Sequence, residues 1–545
     1  MGGALEGLKQ IAEVGHPRSV RRLIQAGALD LRAPLSITAA FPWLIGRGPS
    51  LGILSHMHAV GLRSKPALVD AAGSLTWSEL DGAANAFARA LQKVGIGPGD
   101  KVALLLRNGR EMVQAIIATQ KIGAIACPLN TWAKTKELKA VVGNIDPALI
   151  VYDTAHTEQL KAAVSQEVPS VFVGDPDEAA GSSTPLDDFV SGCGSGPLSP
   201  FTRHRGSPKV VIQTSGTTGT PKGASRDAST TGFGVLADLL GSVPYRRADT
   251  VLCPAPLFHS FGLVTFSLAT ALGCTLVLPR SFDAEETLKL IEEHRATALS
   301  LVPVMIRRIV SLDDAIKNKY DLSSLRILLA SGSALSLDLK KAALDLFGEV
   351  LYDLYGSTEV GWVAIATPED IRTHPRSVGK PSAGIDIAIL DQDGTPVAEG
   401  KTGELYVKSK MVFEGYTSGD TKAVREGFMS IGDLCRVDED GYLYIESRSD
   451  DMVVIGGENV YPIEIEDLIE SVPGVDEVTV LGIDDEQYGQ VLAAFVVGDV
   501  SPADVRTICD RELAPYKVPK RIEVLDRLPR TSTGKVLKRE LAARL

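Results

Sequence analysis

Residues 210–223 read Val210-Val211-Ile212-Gln213-Thr214-Ser215-Gly216-Thr217-Thr218-Gly219-Thr220-Pro221-Lys222-Gly223. The apolar start predicts a buried strand, and the remainder is a loop of hydroxyls and glycines carrying one lysine. Gly216, Gly219 and Gly223 let the backbone turn sharply and approach a ligand closely. Successive N–H groups in such a turn form an anion-binding nest, the hydroxyls of Thr214, Ser215, Thr217 and Thr218 add donors, and Lys222 adds a positive charge. A Walker A loop would place glycine before the lysine and Ser or Thr after it; Pro221 and Gly223 stand there instead. A surface linker would explain the composition but not a lysine so close to a buried-type strand. The stretch therefore predicts a nucleotide or polyphosphate cradle outside the P-loop class.

With 545 residues the chain is too long for one core, and about two to four domains are expected. Hydrophobic residues at 44% and charged residues at 23% describe an ordinary globular protein. A net charge of −12 argues against nucleic acid as the main partner. Cys127, Cys193, Cys253, Cys274, Cys435 and Cys509 are scattered with no Cys-x-x-Cys pair, so reduced thiols and a cytoplasmic home are expected rather than structural zinc. Glu6 and Glu13 interrupt the start before any targeting-type apolar run. Pro42, Arg47 and Pro49 break the apolar region Pro34–Leu54 short of the ~20 residues that a spanning helix needs. That region is expected to pack on the main domain, with a peripheral membrane contact through Phe41, Trp43 and Leu44 as the alternative.

Strand-like runs alternate with helix-like stretches over roughly the first 400 residues. Val102–Leu106 precedes an amphipathic stretch from Arg110 to Ile122. Ala148–Tyr152 precedes a polar helix, and Leu325–Leu329 runs into the small-residue turn Ala330–Ala334. This alternation predicts an α/β fold of stacked, mostly parallel sheets covered by helices. Residues 177–207 read as a long surface connection. From Asp386 to Tyr444 short strands with Gly-rich turns predict a β-rich subdomain. The charged run Arg448-Ser449-Asp450-Asp451 marks a boundary to a small α+β tail. The expected division is a 1–64 extension, a 65–448 main domain and a mobile 449–545 domain, with no internal repeat.

Four further segments carry chemistry. Tyr355-Gly356-Ser357-Thr358-Glu359 follows a strand-like run, and the carboxyl ends of strands in open α/β sheets are where ligands bind. Glu359 offers Mg²⁺ a hard oxygen ligand. Gly432-Asp433 places a carboxylate able to accept from both ribose hydroxyls, though a turn aspartate has the same appearance. Gly456-Gly457-Glu458-Asn459 permits close backbone approach before Pro462 opens a helix. Pro529-Arg-Thr-Ser-Thr-Gly-Lys535 sets a lysine at a loop tip that alone reads as solvent decoration.

In this order, with Pro128–Thr131, Pro256–Gly262, Val472–Val475 and Tyr516–Pro519, the segments closely resemble the adenylate-forming acyl-CoA synthetase superfamily from about Lys65 to Leu545. The first ~60 residues resemble the N-terminal extension of some bacterial fatty-acyl ligases. The resemblance implies that a carboxylate attacks the α-phosphate of MgATP, releasing pyrophosphate, and that CoA thiol then displaces AMP from the acyl adenylate. It implies that the Thr214–Gly223 loop grips the β- and γ-phosphates, that Glu359 and Thr218 position Mg²⁺, and that Gly332, Ser333 and Ala334 border the adenine. Tyr355 would stack on the base beside Gly356, Ser357 and Thr358, Asp433 and Arg448 would hold the ribose, and Lys535 would reach the reacting centre. Asp450 would be the hinge about which the tail rotates to bring Gly456–Asn459 to a CoA tunnel. Two positions depart from the pattern: Ile431 stands where Ser or Thr is usual, and Ser447 where glycine is usual.

The resemblance also bears on the acid. Gly356 replaces the pocket-closing Trp of acetyl-CoA synthetases, and Phe258-His259-Ser260 lacks the Asp that binds an amino group in peptide-synthetase domains. His259 is expected to line the acyl and thiol channel, and Trp362 to line the pocket or pack in the core. A medium- or long-chain fatty acid is expected, with an aryl or steroid-derived acid as the alternative, and a carrier protein as the alternative acceptor to CoA. A monomer or homodimer is expected. With Lys535 at the reacting centre and Lys222 on the leaving group, Lys535→Ala should cost roughly 3–4 kcal/mol of transition-state stabilisation in adenylate formation. Lys222→Ala should cost less, and single-turnover pyrophosphate release measures both.

Overall fold

The computed structural model describes residues 21–22, 25–26, 50–164, 168–199, 209–214, 222–227, 233–391, 393–413, 415–416, 422–448, 452–455, 458–485, 488–530 and 536–545. At 213–214, 222–227, 233–235, 416, 454, 458–459 and 489 only the backbone is described. Phe41, Trp43 and Leu44 lie outside these residues, as do Ser215, Gly216, Thr217, Thr218, Gly219, Asp450, Gly456, Gly457 and Lys535.

Two large sheets build the main body. The eight-stranded sheet runs in the order Gly415–Tyr416, Lys222–Asp227, Lys209–Thr214, Ile125–Pro128, Lys101–Leu105, Leu149–Asp153, Ser170–Val173, Thr184–Pro185. From Lys209–Thr214 onward every pairing is parallel. The nine-stranded sheet runs Lys380–Pro381, Gly361–Ala366, Leu351–Ser357, Ile327–Ala330, Ala298–Leu301, Thr250–Leu252, Thr275–Val277, Pro66–Asp70, Gly73–Thr76. It is parallel from Leu351–Ser357 to Pro66–Asp70 and antiparallel at both edges. The alternating strand and helix pattern requires this, because parallel neighbours need a crossover helix between them.

The helices Trp77–Lys93 and Arg110–Ile122 pack together, and their side chains share one core with Val102, Leu104 and Val151 of one sheet and Leu68, Leu276 and Leu329 of the other. The expected amphipathic stretch Arg110–Ile122 forms a helix, and only its first half keeps partly exposed polar residues. From Ala115 to Ile122 every residue is buried, because the helix is enclosed on all sides. The polar residues of this buried half, Thr119, Gln120 and Lys121, each find a partner. Thr119 Oγ1 donates to the Ala115 and Ile116 carbonyls at 2.9 Å. Gln120 Oε1 accepts from the Leu51 N–H at 2.8 Å, and Lys121 Nζ lies 2.6 Å from Asp81 Oδ1. Through Gln120, and through Ser55 Oγ donating to Asp81 at 2.8 Å, the helix Leu51–Gly61 is built into this core.

The expected surface connection at 177–207 does lie mostly exposed as far as residue 199, but it carries some regular structure. It contains the strand Thr184–Pro185 and the short helix Leu186–Val190, whose Phe189 meets Phe87 edge-on at 6.0 Å. Asn85 Nδ2 then ties down the Ser195 carbonyl at 3.1 Å. The expected β-rich portion is an antiparallel sheet of Asp386–Leu390, Gly403–Lys408, Phe428–Val437 and Val424–Arg425, with Leu443–Arg448 paired to Phe428–Val437.

The tail forms a hairpin, Val453–Ile455 with Glu458–Val460, and a sheet of Val475–Asp485, Gly489–Gly498 and Arg521–Leu525, covered by the helices Pro462–Glu470 and Pro502–Glu512. Its cores, around Ile465, Leu492 and Val505 and around Phe495 and Leu541, are distinct from those of the main body. The six cysteines are unpaired, and all but Cys193 are buried. Among the described residues no helix is long and apolar enough to cross a membrane.

Burial alone would push the Asp81 carboxyl up, but His56, Lys121 and Ser55 together hold it well below the usual carboxylate range. Its stabilising effect is thus present above about pH 4 and lost as the pH falls toward the depressed folded value. Asp81→Ala leaves the Lys121 charge enclosed without that carboxylate. It should destabilise the main body by about 3–5 kcal/mol in a urea titration at pH 7. A loss below about 1 kcal/mol would show that the pair does not hold these helices.

Candidate active site

The ends of two neighbouring parallel strands create the site. Ile327–Ala330 lies beside Leu351–Ser357, with Ala330 opposite Asp353. The chain leaves the first strand through Ser331, whose Oγ donates to the Leu354 carbonyl at 2.8 Å and locks the two strand ends together. Gly332, Ser333 and Ala334 follow and are exposed. Gly332 has φ +100°, and a Cβ there would lie 3.2 Å from Val302 Cγ1, so glycine is required at this bend. Below the site Lys340 Nζ lies 3.1 Å from Asp353 Oδ2 and donates to the Pro375 and Ser377 carbonyls, anchoring the second strand to the helix Leu337–Phe347.

Tyr355, Asp433 and Arg448, expected to serve the base and ribose, are brought together. Asp433 and Arg448 are cross-strand partners on the antiparallel sheet, with Arg448 Nη1 3.1 Å from Asp433 Oδ1. The Tyr355 hydroxyl donates to Asp433 Oδ2 across the junction between that sheet and the nine-stranded one. Burial, the Asp433 charge and this bond raise the Tyr355 hydroxyl well above its ordinary value, so it stays protonated as a donor. The two departures from the family pattern have local explanations. Ile431 is buried in the antiparallel-sheet core, and the hydroxyl of Ser430 instead accepts from the Gly432 N–H at 3.2 Å. Ser447 Oγ turns back to donate to the Arg448 carbonyl at 2.6 Å.

Ser357, Thr358 and Glu359 form the half-buried turn after Tyr355 and Gly356. Ser357 Oγ accepts from the Glu359 N–H at 3.2 Å, and Thr358 Oγ1 lies 3.5 Å from Ser260 Oγ. The hydroxyls and the Glu359 carboxylate form a hard oxygen set, the donor chemistry that suits Mg²⁺. Gly356 acquires a different explanation from an open pocket. The strand bulges there, and a Cβ would stand 2.1 Å from the Gly361 carbonyl oxygen and 2.6 Å from Trp362 Cα. Close backbone approach alone demands the glycine. Trp362 is buried in the large core, as Met411 is, which matches the packing alternative for that residue.

His259 precedes the helix Ser260–Leu272 and faces aromatic rings, Phe258 at 4.4 Å and Trp132 at 6.5 Å between centroids. Burial pushes its imidazole down to about 4, so it is neutral at pH 7. Its buried Nε2 has no hydrogen-bond partner among the described residues. The sequence reading did not find Asn108, which positions this segment by donating to the Ala255 carbonyl at 3.1 Å and accepting from the Leu257 N–H at 2.9 Å. It also did not find Trp132, whose ring stands 5.4 Å from that of Phe258 across a sequence separation that no periodicity reveals.

Lys209–Thr214 and Lys222–Asp227 form an antiparallel hairpin with Thr214 opposite Lys222, so residues 215–221 connect its two strands. The expected strand before the phosphate loop is present, and a second strand follows it. Of the remaining expected residues, Glu458 and Asn459 lie on the short tail hairpin.

The family model for AMP-binding enzymes matches residues 56–417, and that for the AMP-binding enzyme C-terminal domain matches residues 464–535. The chain is 32% identical over 489 residues to a feruloyl-CoA synthase of Amycolatopsis sp, covering 86% of this chain and 94% of that one. It is 30% identical over 475 residues to a long-chain-fatty-acid–CoA ligase of Mycobacterium tuberculosis, covering 85% and 92%. The solved structure of the anthranilate CoA ligase AuaEII in complex with anthranoyl-AMP matches with a TM-score of 0.82 at 25% identity, covering 91% of this chain and 97% of that one. The chain belongs to the AMP-binding enzyme family and is an AMP-forming acid–thiol ligase.

Proposed function

We propose that this ligase activates a carboxylic acid with an uncharged, apolar tail, a medium- or long-chain fatty acid, and transfers its acyl group to CoA. The observation that carries the reading is the surroundings of His259: its imidazole is buried, its Nε2 has no hydrogen-bond partner among the described residues, and its neighbours are aromatic rings. Such a site disfavours an acid with a charged tail, since an unpaired buried charge is costly. The rings of Phe258 and Trp132 favour an aryl acid as the second reading.

In the proposed first half, the acid carboxylate attacks the α-phosphorus of ATP and the bond to pyrophosphate breaks. In the second, the CoA thiol attacks the acyl carbonyl and AMP leaves. Asp433, pre-set by the Tyr355 hydroxyl and Arg448, accepts from the ribose hydroxyls. Gly332–Ala334 would border the adenine, where the positive φ at 332 favours glycine. Glu359 and Thr218 would hold Mg²⁺, which when bound offsets phosphate charge. The roles of the Thr214–Lys222 loop, Lys535, the Asp450 hinge and Gly456–Asn459 rest on the family resemblance.

Two measurements test this reading. Pyrophosphate release across saturated fatty acids, ferulic acid and α-amino acids, with and without CoA, should be supported by apolar acids and yield thioester only with CoA. Turnover confined to amino acids would overturn it, and adenylate without thioester would favour a carrier-protein acceptor. Tyr355→Phe removes one hydrogen bond to the Asp433 carboxylate, worth about 1.5–3 kcal/mol. The apparent KM for ATP should rise roughly 10- to 100-fold, while the KM for CoA stays within about twofold.

A further inference from the structure

The helix Pro303–Val310 links the adenine side of the site to the tail. Its N-cap residue, Val302, is the one that abuts Gly332. Arg307, five residues on and about 7–8 Å along the helix axis, reaches the tail with both guanidinium nitrogens. Nη1 donates to the Asp476 carbonyl at 2.8 Å, and Nη2 pairs with the Glu470 carboxylate at the end of the helix Pro462–Glu470. The Glu470 side chain is only 11% exposed and that of Arg307 28%, so the carboxylate end of this two-point contact is enclosed while the Asp476 end is open to solvent. At the edge of the same interface Arg376 lies 3.8 Å from Asp467, one turn back on the tail helix.

The residue after Asp476 continues the path. Glu477 accepts from Arg530 Nη2 at 2.9 Å, and Arg530 is bridged to Val536, the residue that follows Lys535. The base of the segment carrying Lys535 is therefore attached beside the point where Arg307 grips the tail. Rotation of the tail to a second orientation has to break the Arg307 contact, because it would carry Glu470 and Asp476 away from a helix fixed in the main body.

We propose that Arg307 is a positioning residue: its grip on Glu470 and Asp476 holds the tail in the orientation that serves adenylate formation. The inference rests on the two-orientation reading proposed above. Lysine cannot reproduce the grip, since an ammonium lacks the guanidinium's fixed fork.

The test compares Arg307→Ala, Arg307→Lys and Glu470→Gln with the wild-type chain in each half-reaction. Acid-dependent pyrophosphate–ATP exchange, with dodecanoic or ferulic acid as probe, should fall about tenfold in Arg307→Ala and Glu470→Gln and less in Arg307→Lys. Single-turnover thioester formation from synthetic dodecanoyl or feruloyl adenylate and CoA should be retained or faster. Equal losses in both halves, or no loss in either, would overturn the inference. Should Arg307→Ala fail to fold, Glu470→Gln, which keeps size and shape, decides. Energy transfer between dyes at Val94→Cys and Tyr516→Cys in a Cys193→Ser background gives a readout independent of the acid. Arg307→Ala should shift its distribution away from that of the parent, and an unchanged distribution would overturn the inference. If the parent chain supports no exchange with either acid, that result counts against the proposed substrate class, while the dye distributions still decide the role of Arg307.

Discussion

A lysine with no exposed side-chain surface organises the main body of this enzyme. Lys121 lies on a helix enclosed within the core that the two large sheets share, and its charge is tolerable there because Asp81 reaches it from the adjacent helix at 2.6 Å. Asp81 in turn gathers Ser55 and His56 from the helix Leu51–Gly61. Three helices thus meet at one carboxylate, and the geometry is demanding because a buried charge that loses its partner costs more than the pair contributes. Both sheets pack against these helices, so the parallel strand ends that form the site inherit their spacing from this clasp.

The site lies where the sheets of different character meet. Tyr355 belongs to the mostly parallel sheet and Asp433 to the antiparallel one, and the hydroxyl–carboxylate bond between them joins the two sides proposed to hold the base and the ribose. Such a junction lets one nucleotide touch residues far apart in sequence. It also explains why Asp433 is more than a turn residue: its strand pairing with Arg448 aims two opposite charges at one place. The tail reaches the same region by a different route, through Arg307 and the helix that starts beside Gly332.

Much of the site was legible because its residues cluster in short, ordered segments. Strand, glycine turn and functional group follow one another within a few positions at Ile327–Ala334 and Leu351–Glu359. What was not legible had no local signature. The burial of Ala115–Ile122 on every side depends on a second sheet that its own sequence does not announce, and Lys121 reads as a solvated end residue until Asp81 is placed beside it. Asn108 and Trp132 act on Pro256–His259 across large sequence separations, with no spacing to betray them. Gly356 was read through a family contrast, and the bulge that brings two strands together there is a further reason for it with no local signature.

By itself the sequence determined the α/β alternation, the family and the identity of the hydroxyl, carboxylate and lysine groups available for chemistry, because these depend on local periodicity and on residue types in fixed order. Only the tertiary structure decided which of those groups share a site, which glycine is a steric necessity and which arginine grips the tail. Such contacts join residues separated by tens to hundreds of positions, and their energies depend on burial and on angstrom-scale distances that a linear pattern does not contain.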